Sequence, residues 1–247
     1  MCTAIDLSKG GGGLDRRFPE FHNYDFGDKE LADLIDEIFG IGTVSDPLED
    51  RHNIRITDPL PVITNAGDRT LEFYRFGLAP SWSKDAKIAT RLFNARSETI
   101  AEKPSFRSAI RRRRCIVVAT GFYEWPKYKK GAIKRPYRIT MNDGMPFAIA
   151  GLWERWTSPN GDILNTANII TTAPNAMIAE YHHRMPVILA PENYEAWLNP
   201  DESNPDTFLD LYRPYPLSKM SQYLVSNLIN NPRVKTPETL LPFIQED

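Results

Sequence analysis

Apolar residues at Leu31, Leu34, Ile35, Ile38 and Phe39 recur at the spacing of one helical face, and Gly40 follows where a C-terminal cap belongs. That pattern predicts a helix over residues 29–39. After a proline-punctuated loop the period shortens. Segments 61–64, 70–78, 115–120, 137–140, 146–156 and 163–172 are rich in β-branched and aromatic residues and read as strands. Turn signals rather than long helices separate most of them, including Asn65-Ala66-Gly67, Asn142-Asp143-Gly144 and Pro159-Asn160-Gly161, which favours antiparallel pairing. Short helices are predicted at 104–113, 174–181, 191–198 and 206–212, several with proline at the first helical position. Together these predict an α+β fold: a single domain over residues 1–247 with a curved, mostly antiparallel sheet or barrel-like core flanked by short helices.

Composition narrows the class. With 247 residues, 41% apolar and 25% charged, the chain is neither disordered, collagenous nor disulfide-rich. No uncharged run approaches the roughly 18 apolar residues of a membrane helix, and residues 1–20 carry Asp6, Lys9, Asp15, Arg16 and Arg17 where a secretory signal needs an apolar stretch. A cytoplasmic protein with no membrane partner is the expectation. The net charge of −2 argues against a nucleic-acid partner until it is resolved by segment. Residues 61–140 hold 18 Lys and Arg against 6 Asp and Glu, a net of +12, while the rest of the chain holds 12 against 26, a net of −14. Charge concentrated in this way can supply a local phosphate groove in a protein that is acidic overall; the alternative is a solvated surface with chance clustering.

Few residues offer chemistry. Two cysteines, Cys2 and Cys115, cannot build a disulfide framework, and no Cys or His spacing matches a zinc site, so neither metal nor any other cofactor is expected. The glycine run Gly10–Gly13 lacks the following Lys-Ser/Thr of a phosphate-binding loop and reads as a turn. Cys115 sits in an apolar run as a packed thiol. Cys2 differs, because removal of Met1 would place its thiol beside a free α-amine. An α-amine titrates near 7.7 to 8.0, so roughly a tenth is neutral at pH 7. Such an aminothiol can trap an aldehyde, the amine forming an imine and the thiol closing a five-membered thiazolidine; position alone favours an incidental cysteine. Asn94-Ala95-Arg96-Ser97-Glu98-Thr99 is a polar run inside the basic segment. Gly121-Phe122-Tyr123-Glu124-Trp125 sets one carboxylate among aromatics at a strand end, where desolvation raises a pKa toward acid/base range, unless a salt bridge makes it structural. His182-His183-Arg184-Met185-Pro186 supplies imidazole and guanidinium before a strand, and adjacency does not say which histidine points inward.

Cys2, Asn53, the 94–99 run, Gly121–Trp125 and His182-x-Arg184-Met185-Pro186 resemble, in order and spacing, the SOS-response-associated peptidase (SRAP) family, whose members process abasic sites. Phe76–Trp82, Lys103–Arg107, Val225-Ser226 and Asn230-Asn231 extend the resemblance over nearly the whole chain. It implies a sensor that crosslinks itself to abasic sites in single-stranded DNA through the amine and thiol of Cys2. By similarity Asn94 positions the cysteine or the sugar, Glu124 moves protons, His182 assists ring opening or reversal, and Thr171 lines the same pocket. Arg96 and Arg184 match phosphate-holding positions, Asn53 matches a position on the substrate side, and Trp82 is a stacking platform for a base unless it packs in the core. Single-stranded DNA is the implied partner, without metal, for a monomer that is nucleoid-associated when bound to damage. A thiol autopeptidase trimming its own N-terminus and a non-covalent single-stranded DNA module are the alternatives. Two departures stand out: Thr3-Ala4 where many relatives have Gly-Arg, and His52-Asn53-Ile54-Arg55, where Arg55 is a candidate to replace the missing basic side chain.

Overall fold

The computed structural model describes residues 4–8, 30–44, 48–126 and 135–243. Cys2, Thr3, the Gly10–Gly13 run and Lys29 lie outside these residues. Among the described residues, fourteen strands form two sheets. In chain order they are β1 (Ala4–Leu7), β2 (Thr43–Val44), β3 (Arg51–Arg55), β4 (Pro59–Thr64), β5 (Thr70–Phe76), β6 (Asn94–Arg96) and β7 (Arg114–Ala119). There follow β8 (Gly121–Glu124), β9 (Tyr137–Met141), β10 (Phe147–Thr157), β11 (Ile163–Thr172), β12 (Met185–Pro186), β13 (Ile188–Leu189) and β14 (Met220–Leu224).

Antiparallel pairing runs β5-β4-β7-β10-β11, and β11 then pairs parallel with β5 through Thr166↔Arg75 and Ala167↔Phe76. The ring closes into a five-stranded barrel, which leaves none of these strands a bare edge. The second sheet, ordered β14-β9-β8-β1-β3, is antiparallel throughout. Val62, Val117, Ile149 and Ile169 of the barrel share one apolar core with Ile5, Leu7, Phe122 and Ile139 of the second sheet, all fully buried. Each such side chain contributes about 1.5–3 kcal/mol through burial, so this shared core fixes the two sheets against each other. On the far face of the second sheet, Ala4 and Tyr123 pack under Val225, Ile229 and Leu240 of the C-terminal segment.

The long helix forms as its periodicity predicts. Helix α1 (Leu31–Phe39) buries Leu31, Leu34, Ile35 and Phe39, is capped reciprocally by Glu30 and Asp33, and ends at Gly40, whose φ of +60° lets its N–H reach Asp36 O at 2.7 Å. The other predicted helices are shorter than their patterns suggest. Of 104–113 only α2 (Ala109–Arg112) is helical, and the residues before it are turns. Arg107 and Arg111 would repel at i, i+4, and Ser105 and Ser108 compete for backbone groups. Likewise 174–181 reduces to α3 (Ala176–Ala179) under an Asn175 cap, and 191–198 splits into a 3₁₀ turn (Pro191–Asn193) and α4 (Tyr194–Leu198). The 206–212 segment is a 3₁₀ run, Pro205–Tyr212.

Candidate active site

The site grows from two strand ends. Strand β6 lies parallel to β11, with Asn94↔Ile169 and Arg96↔Thr171 in register, and β12 lies on the other side of β11 with Thr171↔Pro186 and Thr172↔Met185. Three segments far apart in sequence therefore set Asn94, Arg96, Thr171 and Arg184 around one end of the barrel. Thr171 is buried and its hydroxyl donates to Ala95 O at 3.3 Å. The Arg184 guanidinium donates to both carboxylate oxygens of Glu98, at 2.5 Å from Nη1 and 2.9 Å from Nη2, and Nη2 also donates to Thr171 O. This bidentate hydrogen bonding from Arg184 holds the Glu98 carboxyl below its usual range. Arg96, by contrast, is exposed and makes no ion pair with a described residue.

The two histidines separate cleanly. His183 is exposed, whereas His182 is half-buried, with its Nδ1 accepting the Arg184 backbone N–H at 3.0 Å. The same Nδ1 lies 3.2 Å from Arg184 O, so the Arg184 backbone engages this nitrogen in either tautomer. Tyr181, the residue before it, stacks on Tyr137 with centroids 4.6 Å apart, and Tyr137 is the β9 partner of Glu124. The stack joins the His182 turn to the Glu124 end of the second sheet.

Glu124 ends β8 at 3% exposure. Burial pushes its carboxyl up to about 7. Among the described residues its Oε1 has no hydrogen-bond partner. A buried carboxyl raised into this range can exchange protons near neutral pH.

The model of the SOS response associated peptidase (SRAP) family matches residues 26–232. This chain belongs to the SRAP family. The matched span holds every candidate residue except Cys2, which precedes it. Among SRAP relatives, the abasic site processing protein YoqW of Bacillus subtilis strain 168 is 44% identical over 181 residues, covering 73% of this chain and 80% of its own. The abasic site processing protein HMCES of Rattus norvegicus is 32% identical over 207 residues, covering 72% of this chain and 58% of its own. A solved structure from Bacteroides thetaiotaomicron superposes with a TM-score of 0.69 at 35% identity, covering 79% of this chain and 86% of that one. One from Bordetella bronchiseptica gives 0.71 at 24% identity over 91% and 100% and shares the fold.

The remaining residues singled out in this SRAP chain sit in varied surroundings. Asn53 is fully buried with φ +53°; its Nδ2 donates to Asn231 O at 3.0 Å and Val234 O at 2.9 Å, and its Oδ1 accepts from Arg55 Nε at 2.5 Å. Both amide hydrogens are committed to the C-terminal segment, which leaves no donor for a ligand. Arg55 is engaged there too, donating to Ile229 O and lying over the Trp125 ring at 5.1 Å. Trp82 is 60% exposed on a turn whose Ser83 O accepts from Trp156 Nε1 at 2.7 Å, which removes the core-packing alternative. Cys115 is fully buried, and burial pushes its thiol up, as expected of a packed residue. Among the described residues no group of three His, Cys, Asp or Glu is arranged to hold a metal, and no helix is long and apolar enough to cross a membrane. An open groove of about 730 Å³ runs between Thr64–Arg69 and Glu195–Pro200 and is lined by none of the candidate residues.

Sequence reasoning missed Glu98 as the partner of Arg184, although the residue stood inside a quoted motif, because nothing local links positions 98 and 184. It also missed the Tyr137–Tyr181 stack. No sequence signal announces either: the ion pair depends on β6 and β12 flanking β11, and the stack on how the second sheet meets the turn before β12.

Proposed function

We propose that this SRAP protein processes abasic sites in DNA by forming a thiazolidine crosslink between Cys2, exposed by removal of Met1, and the C1′ aldehyde of the opened deoxyribose in single-stranded DNA. The names of the relatives point to abasic sites. The observation that carries the chemistry is Glu124: a buried carboxyl titrating at about 7 with an oxygen free of described partners. The β1–β8 register, Ile5↔Phe122 and Asp6↔Gly121, points the N-terminal end of β1 toward the Glu124 end of β8. Two residues of chain keep the Cα of Cys2 within about 7 Å of that of Ala4 whatever their conformation.

The steps balance without a cofactor. The Cys2 amine adds to C1′, giving a carbinolamine. Protonated Glu124 donates to the carbinolamine hydroxyl, which leaves as water and forms an iminium ion. The Glu124 carboxylate then takes the thiol proton, the thiolate adds to C1′, and the C–S bond closes the ring while the iminium electron pair returns to nitrogen. One water is released and Glu124 regains its proton. Near pH 7 a carboxyl of this kind is divided between the two forms the sequence requires.

Around this centre Asn94 positions the cysteine or the sugar, Thr171 lines the pocket, and His182 assists ring opening or reversal. Arg96 takes a backbone phosphate directly, and Arg184 contributes a guanidinium oriented by Glu98. Trp82 stacks on an unpaired base.

The test is a denaturing gel of protein whose mass shows that it begins at Cys2, incubated with single-stranded DNA carrying one abasic site, beside Cys2→Ala and intact-base controls. A band that survives denaturation and needs both Cys2 and the abasic site is the expected result. Its absence at low salt and long incubation, from correctly processed protein, overturns the proposal and favours acyl chemistry at Cys2 or non-covalent binding.

A further inference from the structure

A buried charge cluster lies on the second sheet, built from side chains that the chemistry above does not use. Asp6 is fully buried on β1, and groups from four places converge on it. Arg138 of β9 donates from Nη2 to Oδ2 at 2.5 Å; Thr120, between β7 and β8, donates to Oδ2 at 3.1 Å; Ser8 donates to Oδ1 at 3.2 Å. His52 of β3 brings Nδ1 to 3.4 Å from Oδ1. Burial by itself would raise the Asp6 carboxyl, yet the Arg138 guanidinium and then His52 hold it below the ordinary value.

Arg138 and Asp6 are not on neighbouring strands. Strand β8 lies between them, and Arg138 crosses it directly over Gly121, the residue paired with Asp6. A Cβ on Gly121 would stand 2.7 Å from Arg138 Nε and 2.9 Å from Cζ. The glycine that opens the Gly121–Trp125 motif is thus the gap through which the ion pair is made.

Backbone pairing alone specifies β1 weakly. The strand has four residues, pairs with β8 at only two positions, and is irregular toward β3 between Ile5 and Leu7, where Asp6 sits. All four residues are buried, so there is no polar face to set the register by contrast. A one-residue slip would drive Asp6 into the apolar core beside Phe122 and shift the N-terminal chain by about 3.3 Å.

We propose that the Asp6–Arg138 pair, passing over Gly121, is the register lock of β1, and that Asp6 and Arg138 are positioning residues that set Cys2 against Glu124. The proposal rests on the Cys2 reading above for its chemical consequence and on the cluster geometry for the lock. Buried ion pairs are often replaceable by apolar residues without loss of stability, and registry is the best attested reason to retain one.

The test compares wild type with Asp6→Leu/Arg138→Met, an apolar replacement of the pair, and with Arg138→Lys, which keeps the charge. Three quantities are read: the thermal midpoint, the dissociation constant for abasic single-stranded DNA in a Cys2→Ala background, and the crosslinking rate at saturating DNA. The double variant is expected to melt at or above the wild-type midpoint and to bind DNA unchanged. Its crosslinking rate is expected to fall by about tenfold to a hundredfold, the penalty for misplacing a reacting group by up to an ångström. Arg138→Lys is expected to recover part of that loss. A folded double variant that crosslinks within about twofold of wild type overturns the positioning role, since a merely structural pair moves the melting midpoint and leaves the rate alone. If wild type itself forms no adduct, the Cys2 reading fails separately. The lock is then judged by cross-strand amide NOEs between Ile5 and Phe122, whose persistence at the native register in the double variant overturns it.

Discussion

The rings of Tyr137 and Tyr181 stack at 4.6 Å and 24°, tying the strand neighbour of Glu124 to the residue before His182. This contact ties the second sheet to the turn before β12, so aromatic packing relates the Glu124 strand end to the His182 imidazole. Such pairs contribute about 0.5–1.5 kcal/mol beyond the area they bury, enough to favour one arrangement of the two strand ends.

Glu124 gives a signed dependence on pH. Its carboxyl lies at about 7 in the folded protein against 4.5 for an ordinary glutamate, so between these values the folded state holds more protons than the unfolded state and stability falls as pH rises. The fall totals about 3 kcal/mol at most. Glu124→Gln removes this component, so the wild-type minus variant difference in unfolding free energy, followed by urea titration from pH 4 to 8, declines over that window. The same variant slows crosslinking more than DNA binding. A flat difference means that the carboxyl is not desolvated as described.

Glu98 is half-exposed, with a side chain at 52%, so Glu98→Gln costs less than about 1 kcal/mol of stability. It releases the Arg184 guanidinium, however, and adds one net positive charge at the site. Affinity for intact single-stranded DNA then rises at low salt, and the slope of log K against log salt steepens by about 0.7, while crosslinking at saturating DNA slows because Arg184 is no longer oriented. An unchanged slope would show that Arg184 does not reach a phosphate.

Arg96, exposed beside Thr171, is the simpler phosphate contact. Arg96→Ala reduces the salt slope by about 0.7 for a single strand and weakens binding to all sequences alike. Fluorescence anisotropy with two unrelated oligonucleotides over a range of salt measures both effects. A loss confined to one sequence contradicts the assignment.

Asn53→Ala leaves the carbonyls of Asn231 and Val234 without the donors they now have, at a cost of about 2–4 kcal/mol. Because Asn53 lies under the C-terminal segment, the variant opens that segment to proteolysis near residues 225–243 while the crosslinking rate of the folded fraction stays at the wild-type level. A rate that drops without loss of stability would return Asn53 to the substrate side.

The sequence by itself determined the local features. The apolar stripe and Gly40 specify α1, and β-branched runs specify the barrel strands, with 163–172 matching β11 in full, because periodicity reports which face of an element is buried. The motif spacing identified the family, and the lone acid among aromatics at position 124 foretold a raised pKa. Tertiary structure alone decided partners. Nothing near position 94 says that β6 lies parallel to β11, nor anything near 184 that Arg184 grips Glu98 86 residues away. Nothing near 53 says that both hydrogens of its amide belong to residues 231 and 234. Only the fold turned His182 inward and His183 outward, exposed Trp82, and passed Arg138 over Gly121 to Asp6. The physical reason is common to all of these: burial is encoded by the residue and its period, whereas a hydrogen bond or ion pair between distant strands exists only once sheet closure has set their register.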